Sequence, residues 1–243
     1  LKTVIFVPET APAPKVAQLL VFGAVVIMVK GTYDDAFDLC LKASAEYGWY
    51  NRSTGVNPFT REGKKTCAFE ICEQMKWETP DKVFVSVGDG NIISGMWKGF
   101  VEFHRLGIIE KLPAMIAVQA EKSDAVKRAF ESPTGEILPV SGETVADSIS
   151  VSMPRDGMAA VMAIRDSLGF AVSVTDAEIL AAIPDIARGS NVFAEPAAAA
   201  TYAGLKKAVK EGKVKENESV VLLISGNGLK DVASAMKSAG KPF

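Results

Sequence analysis

The sequence predicts an α/β fold built on parallel sheet. Three observations lead there. Short β-branched runs alternate with longer segments of helical spacing along most of the 243 residues. The chain is 48% hydrophobic, enough to bury a real core in one large domain or two small ones. Two of the apolar runs end in glycine-rich turns, the place where open α/β folds collect ligands.

The elements follow in order. "TVIFVP" (3–8) is β-branched and short, and a proline ends it. "APKVAQLLVFG" reads as a helix closed by Gly23, and "AVVIMV" (24–29) as the next strand. "TYDDAFDLCLKASAEYG" has helical spacing, with Thr32 as its cap and Gly48 as its stop. This β-α-β-α order is that of parallel strands joined by crossovers. "STGVNPFTREG" (53–63) reads as a loop and "KKTCAFEICEQM" as a helix. "DKVFVSV" (81–87) is a strand, 90–106 a helix and "AMIAVQA" (114–120) a strand. Residues 131–156, with several Pro and Gly, read as irregular: a lid, a domain crossing or a surface excursion. A helix (157–168), the strand "FAVSV" (170–174) and a helix opened by the capping box "TDAE" come next. "EPAAAATYAGLKKAVKEG" (195–212) is a helix with Pro in its first turn and the alanines 197–200 as filler, and "SVVLLIS" (219–225) reads as a buried strand. A break near 53–60 divides the chain into part of a small α/β domain, 1–53, and a large α/β domain, 54–243.

Composition narrows the function. A net charge of −2 and a pI near 5.6 argue against nucleic acid or an anionic membrane as main partner. Cys40, Cys67 and Cys72 lack metal-type spacing and read as thiols of a reducing compartment, so a cytoplasmic protein is expected. The single histidine, His104, argues against a His-rich metal site or a Ser-His-Asp arrangement. The apolar runs are too short to span a bilayer.

The stretch "VFVSVGDGNIISGMWKGF" carries the chemistry. A strand runs into a glycine-rich turn, and the turn into a helix. Glycines allow close backbone approach, successive amides converge, and a helix N-terminus adds partial positive charge. A phosphate fits such a turn; a tight βα turn with no ligand is the alternative. No Gly-Lys-Ser/Thr follows, so this is not a Walker loop, and Gly88, Gly90 and Gly95 miss the dinucleotide interval. "VLLISGNGLKD" ends a second strand in small residues, and two such loops favour a shared cofactor.

Four blocks, "NPFTREGKKTCAFEICEQ" (57–74), "VGDGNIISGMWKGF" (87–100), "VFAEPAAAATYAGL" (192–205) and "ISGNGLKD" (224–231), resemble the threonine synthases. These are pyridoxal-phosphate enzymes of the tryptophan-synthase β-like fold, fold type II. The resemblance implies that Gly88, Asp89, Gly90, Asn91 and Ile92 grip the 5′-phosphate of pyridoxal 5′-phosphate. It implies that Ser225 hydrogen-bonds the pyridine nitrogen; a neutral hydroxyl there leaves the ring a milder electron sink, suited to eliminations. Carboxylate repulsion argues against direct phosphate contact by the Asp89 side chain. Thr54, Gly55 and Asn57 fall at or near the polar contacts to the substrate's phosphate. Arg61 stands one step after the usual arginine position, which is Thr60 here. Lys230 has no role in the resemblance and reads as a salt-bridging residue, with Asp231 or a neighbouring helix end as partner; Arg61 and Lys64 also fit a solvated helix start.

The implied reaction turns O-phosphohomoserine and water into threonine and phosphate, in a protein expected to be a homodimer. Two other readings stand beside it. One is another fold-type-II lyase or β-replacement enzyme, of the threonine or serine dehydratase kind. The other is a non-catalytic chain that binds a phosphorylated ligand. The chain opens inside a strand pattern without Met, and no Ser-x-Lys-Asp-like segment is present. The family's Schiff-base lysine is therefore expected in a preceding segment, and residues 1–243 alone are expected to have negligible activity.

Overall fold

Six strands and nine α-helices form among residues 1–239, those that the computed structural model describes. The last positions of the expected large domain, 240–243, lie outside them. Val4–Pro8 (β1) and Val25–Val29 (β2) pair in parallel, with Val4 opposite Val25 and Pro8 opposite Val29. Helix Ala13–Val21 (α1) connects them, and Tyr33–Tyr47 (α2) follows. As the sequence predicts, Thr32 caps α2 in a full capping box with Asp35, and Gly48 ends it in a left-handed turn at φ 65°.

The second sheet carries the core. Its strands Lys82–Ser86 (β3), Ala114–Ala120 (β4), Ala171–Val174 (β5) and Val220–Leu222 (β6) are all parallel, in the order β5-β4-β3-β6. Period-two alternation divides their side chains between two faces. Val83, Val85, Met115, Ala117 and Ala171 face helices Pro58–Gln74 (α3), Asn91–Arg105 (α4), Ala125–Glu131 (α5) and Gly157–Asp166 (α6). Phe84, Ile116, Val118, Val172 and Val174 face Asp176–Ser190 (α7) and Pro196–Lys210 (α8). Both faces are covered, which is why these strands read as continuous apolar runs.

Four expectations change. Helix α3 starts at Pro58, inside the stretch read as loop: Pro58 takes the first helical position and the Asn57 side chain accepts from the Phe59 amide at 3.0 Å. Strand β6 is shorter than "SVVLLIS" and half-buried, because it pairs only with β3 and forms the sheet edge. Helices α5 and Val232–Ala239 (α9) have seven and eight residues and too little periodicity to register in sequence. The alanines 197–200 are not filler. All four are buried, and further along α8 a Cβ at Gly204 would lie 2.6 Å from a Val118 methyl, so small residues are what let α8 lie against the sheet.

Asp81 ties the entries of β3 and β6 together. Its carboxylate accepts from the Ser219 amide at 2.8 Å, the Ser219 hydroxyl at 2.9 Å and Lys111 Nζ at 3.0 Å. Those bonds, the Ser219 amide foremost, hold its pKa at about 2, below the ordinary 3.8. A folded value below the unfolded one gives stability that is present above pH 3.8 and lost as pH falls through about 2. Asp81→Asn is therefore expected to lower the melting temperature near neutral pH, with the gap closing over that acid window. A gap constant across the window would show that the carboxylate's charge is not what joins the two strands.

Candidate active site

The sheet order creates the site. From β3 the chain moves to β4 on one side, while β6 lies on the other. The loops leaving β3 and β6 therefore diverge around a crevice at the carboxyl ends of the strands, the topological switch point. Gly88, Asp89, Gly90, Asn91 and Ile92 from the first loop and Ser225 from the second line one cavity of about 250 Å3. Thr54 reaches the same cavity.

The first loop is shaped by close approach. Gly90 is the N-cap of α4 with φ 94°, a left-handed conformation that disfavours side chains. A Cβ on it would lie 2.8 Å from both the Asp156 carbonyl oxygen and Ala160 Cβ. A Cβ on Gly88 would lie 3.1 Å from Ile149 Cα. Before the loop, the Val87 amide donates to Val118 O at 2.8 Å and the buried Gln119 amide donates to Val87 O at 3.1 Å, so the ladder is closed up to Val87. Beyond it, the amides of Gly88 to Ile92 meet no protein acceptor among the described residues. Unpaired amides at the N-terminus of a fifteen-residue helix, facing a cavity, suit an anion.

Asp89 is turned out of that amide row. Its carboxylate accepts from the Tyr33 hydroxyl at 2.8 Å and from the Arg155 amide at 3.1 Å, and its carbonyl accepts from the Asp156 amide at 2.8 Å. Burial pushes its pKa up, while the bonds from Arg155 and Tyr33 pull it down. Burial and the adjacent Asp89 carboxylate raise the Tyr33 phenol, which stays protonated and donating. Arg155 bonds Asp34 at 3.0 Å and Asp38 at 3.1 Å and lies 4.4 Å over the Phe37 ring. Residues 152–156 thus strap the loop to α2. The irregular stretch 131–156 is no plain surface excursion: Ser148 and Ile149 line the cavity, and the buried Ser123 hydroxyl accepts from the Val151 amide at 3.1 Å.

Asn57 and Arg61 lie elsewhere. They line a smaller adjoining cavity of about 170 Å3, with Asn91 in the wall of both. Asn57 Nδ2 donates to Asn51 O at 2.9 Å. Arg61 pairs with the buried Asp156 carboxylate, so its charge is already matched. Asp156 also accepts from Asn91 Nδ2 at 2.6 Å, which fixes the amide's orientation and leaves the buried Asn91 Oδ1 without a partner among the described residues. A buried acceptor beside an amide-lined cavity is a position for a ligand's donor.

Glu195 was not singled out from the sequence. It is the N-cap of α8, buried at 3% exposure, and lines the cavity with Ser225. Its carboxylate lies where a Cβ on Gly226 would sit, accepts from Ser148 Oγ at 3.3 Å and has Lys230 Nζ at 3.8 Å. Lys230 therefore pairs with a neighbouring helix end, one of the two partners expected. The sequence signal for Glu195 is its place directly before Pro196, where a helix begins; the fold sets that helix start beside the second glycine loop, with the Glu195 amide donating to Gly226 O at 2.9 Å.

The comparisons with known proteins agree with this geometry. The family model described as pyridoxal-phosphate dependent enzyme matches residues 1–226. This chain belongs to that family. Among its relatives, a threonine synthase of Methanocaldococcus jannaschii is 41% identical over 244 aligned positions, covering 100% of this chain and 60% of the relative. One from Mycobacterium tuberculosis is 40% identical over 92% of this chain and 60% of its own length. The chain thus spans about 60% of the length of these curated relatives. The fold recurs in threonine deaminase isoform 2 of Solanum lycopersicum, with a TM-score of 0.77 at 23% identity over 99% of this chain and 67% of that one. It recurs in an Escherichia coli diaminopropionate ammonia lyase, with a TM-score of 0.78 at 19% identity over 98% and 66%. The architecture is that of the family's fold type II, and the cofactor is pyridoxal 5′-phosphate. The residues fit that group: unpaired amides and two side-chain-free glycines at one part of the cavity, a hydroxyl and a buried carboxylate at another. No helix among the described residues is long and apolar enough to cross a membrane.

Proposed function

We propose that this chain forms the cofactor-phosphate site of a threonine synthase, which converts O-phosphohomoserine and water to threonine and phosphate. The observation that carries the reading is the cavity shared by the Gly88–Ile92 loop and Ser225. The 41% identity to an archaeal threonine synthase supports the reaction. When bound, the cofactor supplies the electron sink that makes the substrate's carbon-bound protons acidic. The amides of residues 88–92 hold its phosphate, and the Ser225 hydroxyl partners its ring nitrogen. Asn91 Oδ1, unpaired in the wall, accepts from the cofactor or the substrate. Thr54 touches substrate from the cavity side, while Asn57 and Arg61 act from the adjoining cavity. Residues 1–53 and 54–243 are read as part of a small domain and a large one, in keeping with their separate sheets. The three free thiols support a reducing, cytoplasmic setting, and a homodimer is the assembly proposed.

A second reading has its own support. Arg61, the candidate cation for a substrate phosphate, is paired with Asp156, which favours a fold-type-II lyase whose substrate has no phosphate. One assay separates the two. Given cofactor and O-phosphohomoserine, the protein is expected to release threonine and inorganic phosphate in equal amounts. Release of pyruvate or 2-oxobutyrate from serine or threonine, with no phosphate from O-phosphohomoserine, would replace the first reading by the second.

A further inference from the structure

We propose that Lys64 is the cation of the phosphate site, neutralising a phosphate ester held at Gly88–Ile92. This rests on the reading of that loop as a phosphate cradle. A phosphate monoester brings close to two negative charges, and a helix N-terminus offers roughly half a positive one. A cationic side chain in the wall would supply part of the remainder.

The cavity wall contains two carboxylates and two amines. Asp89 is held by Tyr33 and Arg155, and Glu195 has Lys230 within 3.8 Å. Lys64 is the other amine in the wall. Its neighbours on α3 and α4 are committed: Lys65 pairs with Glu62 at 2.7 Å and Glu102 at 2.8 Å, and Lys98 pairs with Glu62. Arg61 is matched by Asp156. Among the described residues, Lys64 has no carboxylate within 4.0 Å.

Packing puts it there. Helix α3 crosses α4 on Gly95 and Gly99, where a Cβ would lie 2.5 Å from Lys64 Cβ and 3.0 Å from Ala68 Cβ. With no side chain at Gly95, α3 approaches the first turns of α4, and the flexible stem of Lys64 starts against Gly95 and shares the cavity wall with the phosphate loop.

Two phosphate esters could be the ligand, that of the cofactor and that of the substrate. The test measures binding of pyridoxal 5′-phosphate against pyridoxal, and of O-phosphohomoserine against homoserine, by equilibrium dialysis. The protein is compared with Lys64→Gln, Lys64→Arg and the remote surface control Lys210→Gln. Losing one charge-assisted contact is expected to cut the preference for a phosphorylated ligand about tenfold in Lys64→Gln. Lys64→Arg and Lys210→Gln should keep it, and added salt should shrink the difference. The pair of ligands that responds identifies which phosphate Lys64 meets. Phosphate preference in the unsubstituted protein that Lys64→Gln leaves intact overturns the inference and spares the cradle. No phosphate preference in the unsubstituted protein overturns both.

Discussion

Gly90→Ala is expected to lower the protein's preference for pyridoxal 5′-phosphate over pyridoxal by about a hundredfold or more. Two costs combine. The residue sits at φ 94°, where an alanine is strained by about 1–2 kcal/mol. Its methyl would lie 2.8 Å from the Asp156 carbonyl oxygen, a backbone atom that cannot swing aside, which adds about 1–3 kcal/mol as overpacking does elsewhere. The loop can relieve the contact only by moving away from Asp156. That disturbs the Asp156 amide bond to Asp89 O and tilts the unpaired amides out of convergence. At about 1.4 kcal/mol per factor of ten, a combined cost near 3 kcal/mol gives the stated loss if it falls on the bound state. Binding of pyridoxal, which lacks the phosphate, should change little. Equal loss for both ligands would mean that Gly90 serves the fold and not the phosphate.

Phe84→Ala carries the largest expected cost in stability, about 3–5 kcal/mol. Phe84 lies at the middle of β3, the strand between β4 and β6, with no exposed surface. Its ring meets Phe170 edge-on, with centroids 6.1 Å apart at 84°, and packs under the buried alanines of α8. Those alanines have no length with which to fill the space, and α8 already lies as near the sheet as Gly204 allows. The cavity therefore persists instead of collapsing. Equilibrium urea unfolding measures the effect, and a loss under about 1 kcal/mol would indicate a face far more adaptable than tight packing implies. Because β3 ends in the phosphate loop, the variant should also weaken phosphate binding at temperatures where it remains folded.

The site was legible where its chemistry resides in backbone shape. "VGDGNI" announces itself because closely spaced glycines between a strand and a helix have few other uses, and Ser225 stood out by ending a second such strand. Charges were harder. Arg61 reads as a free cation in the sequence, yet Asp156, 95 positions away, matches it. Asp89 reads as an awkward carboxylate beside a phosphate, yet Tyr33, 56 positions away, turns it aside. Pairing depends on contacts between segments that no local pattern encodes.

By itself the sequence determined the alternation of strand and helix, the capped ends of α2 and α7, and the phosphate-loop motif. All of these are written in residues within one or two turns of each other. Only the tertiary structure decided that α8 is a close-packed wall, that Glu195 and Lys230 share the cavity, and that Lys64 reaches the same cavity wall as the loop. Charge neutralisation and packing are properties of neighbours in space, and the parallel crossovers here place those neighbours tens of residues apart.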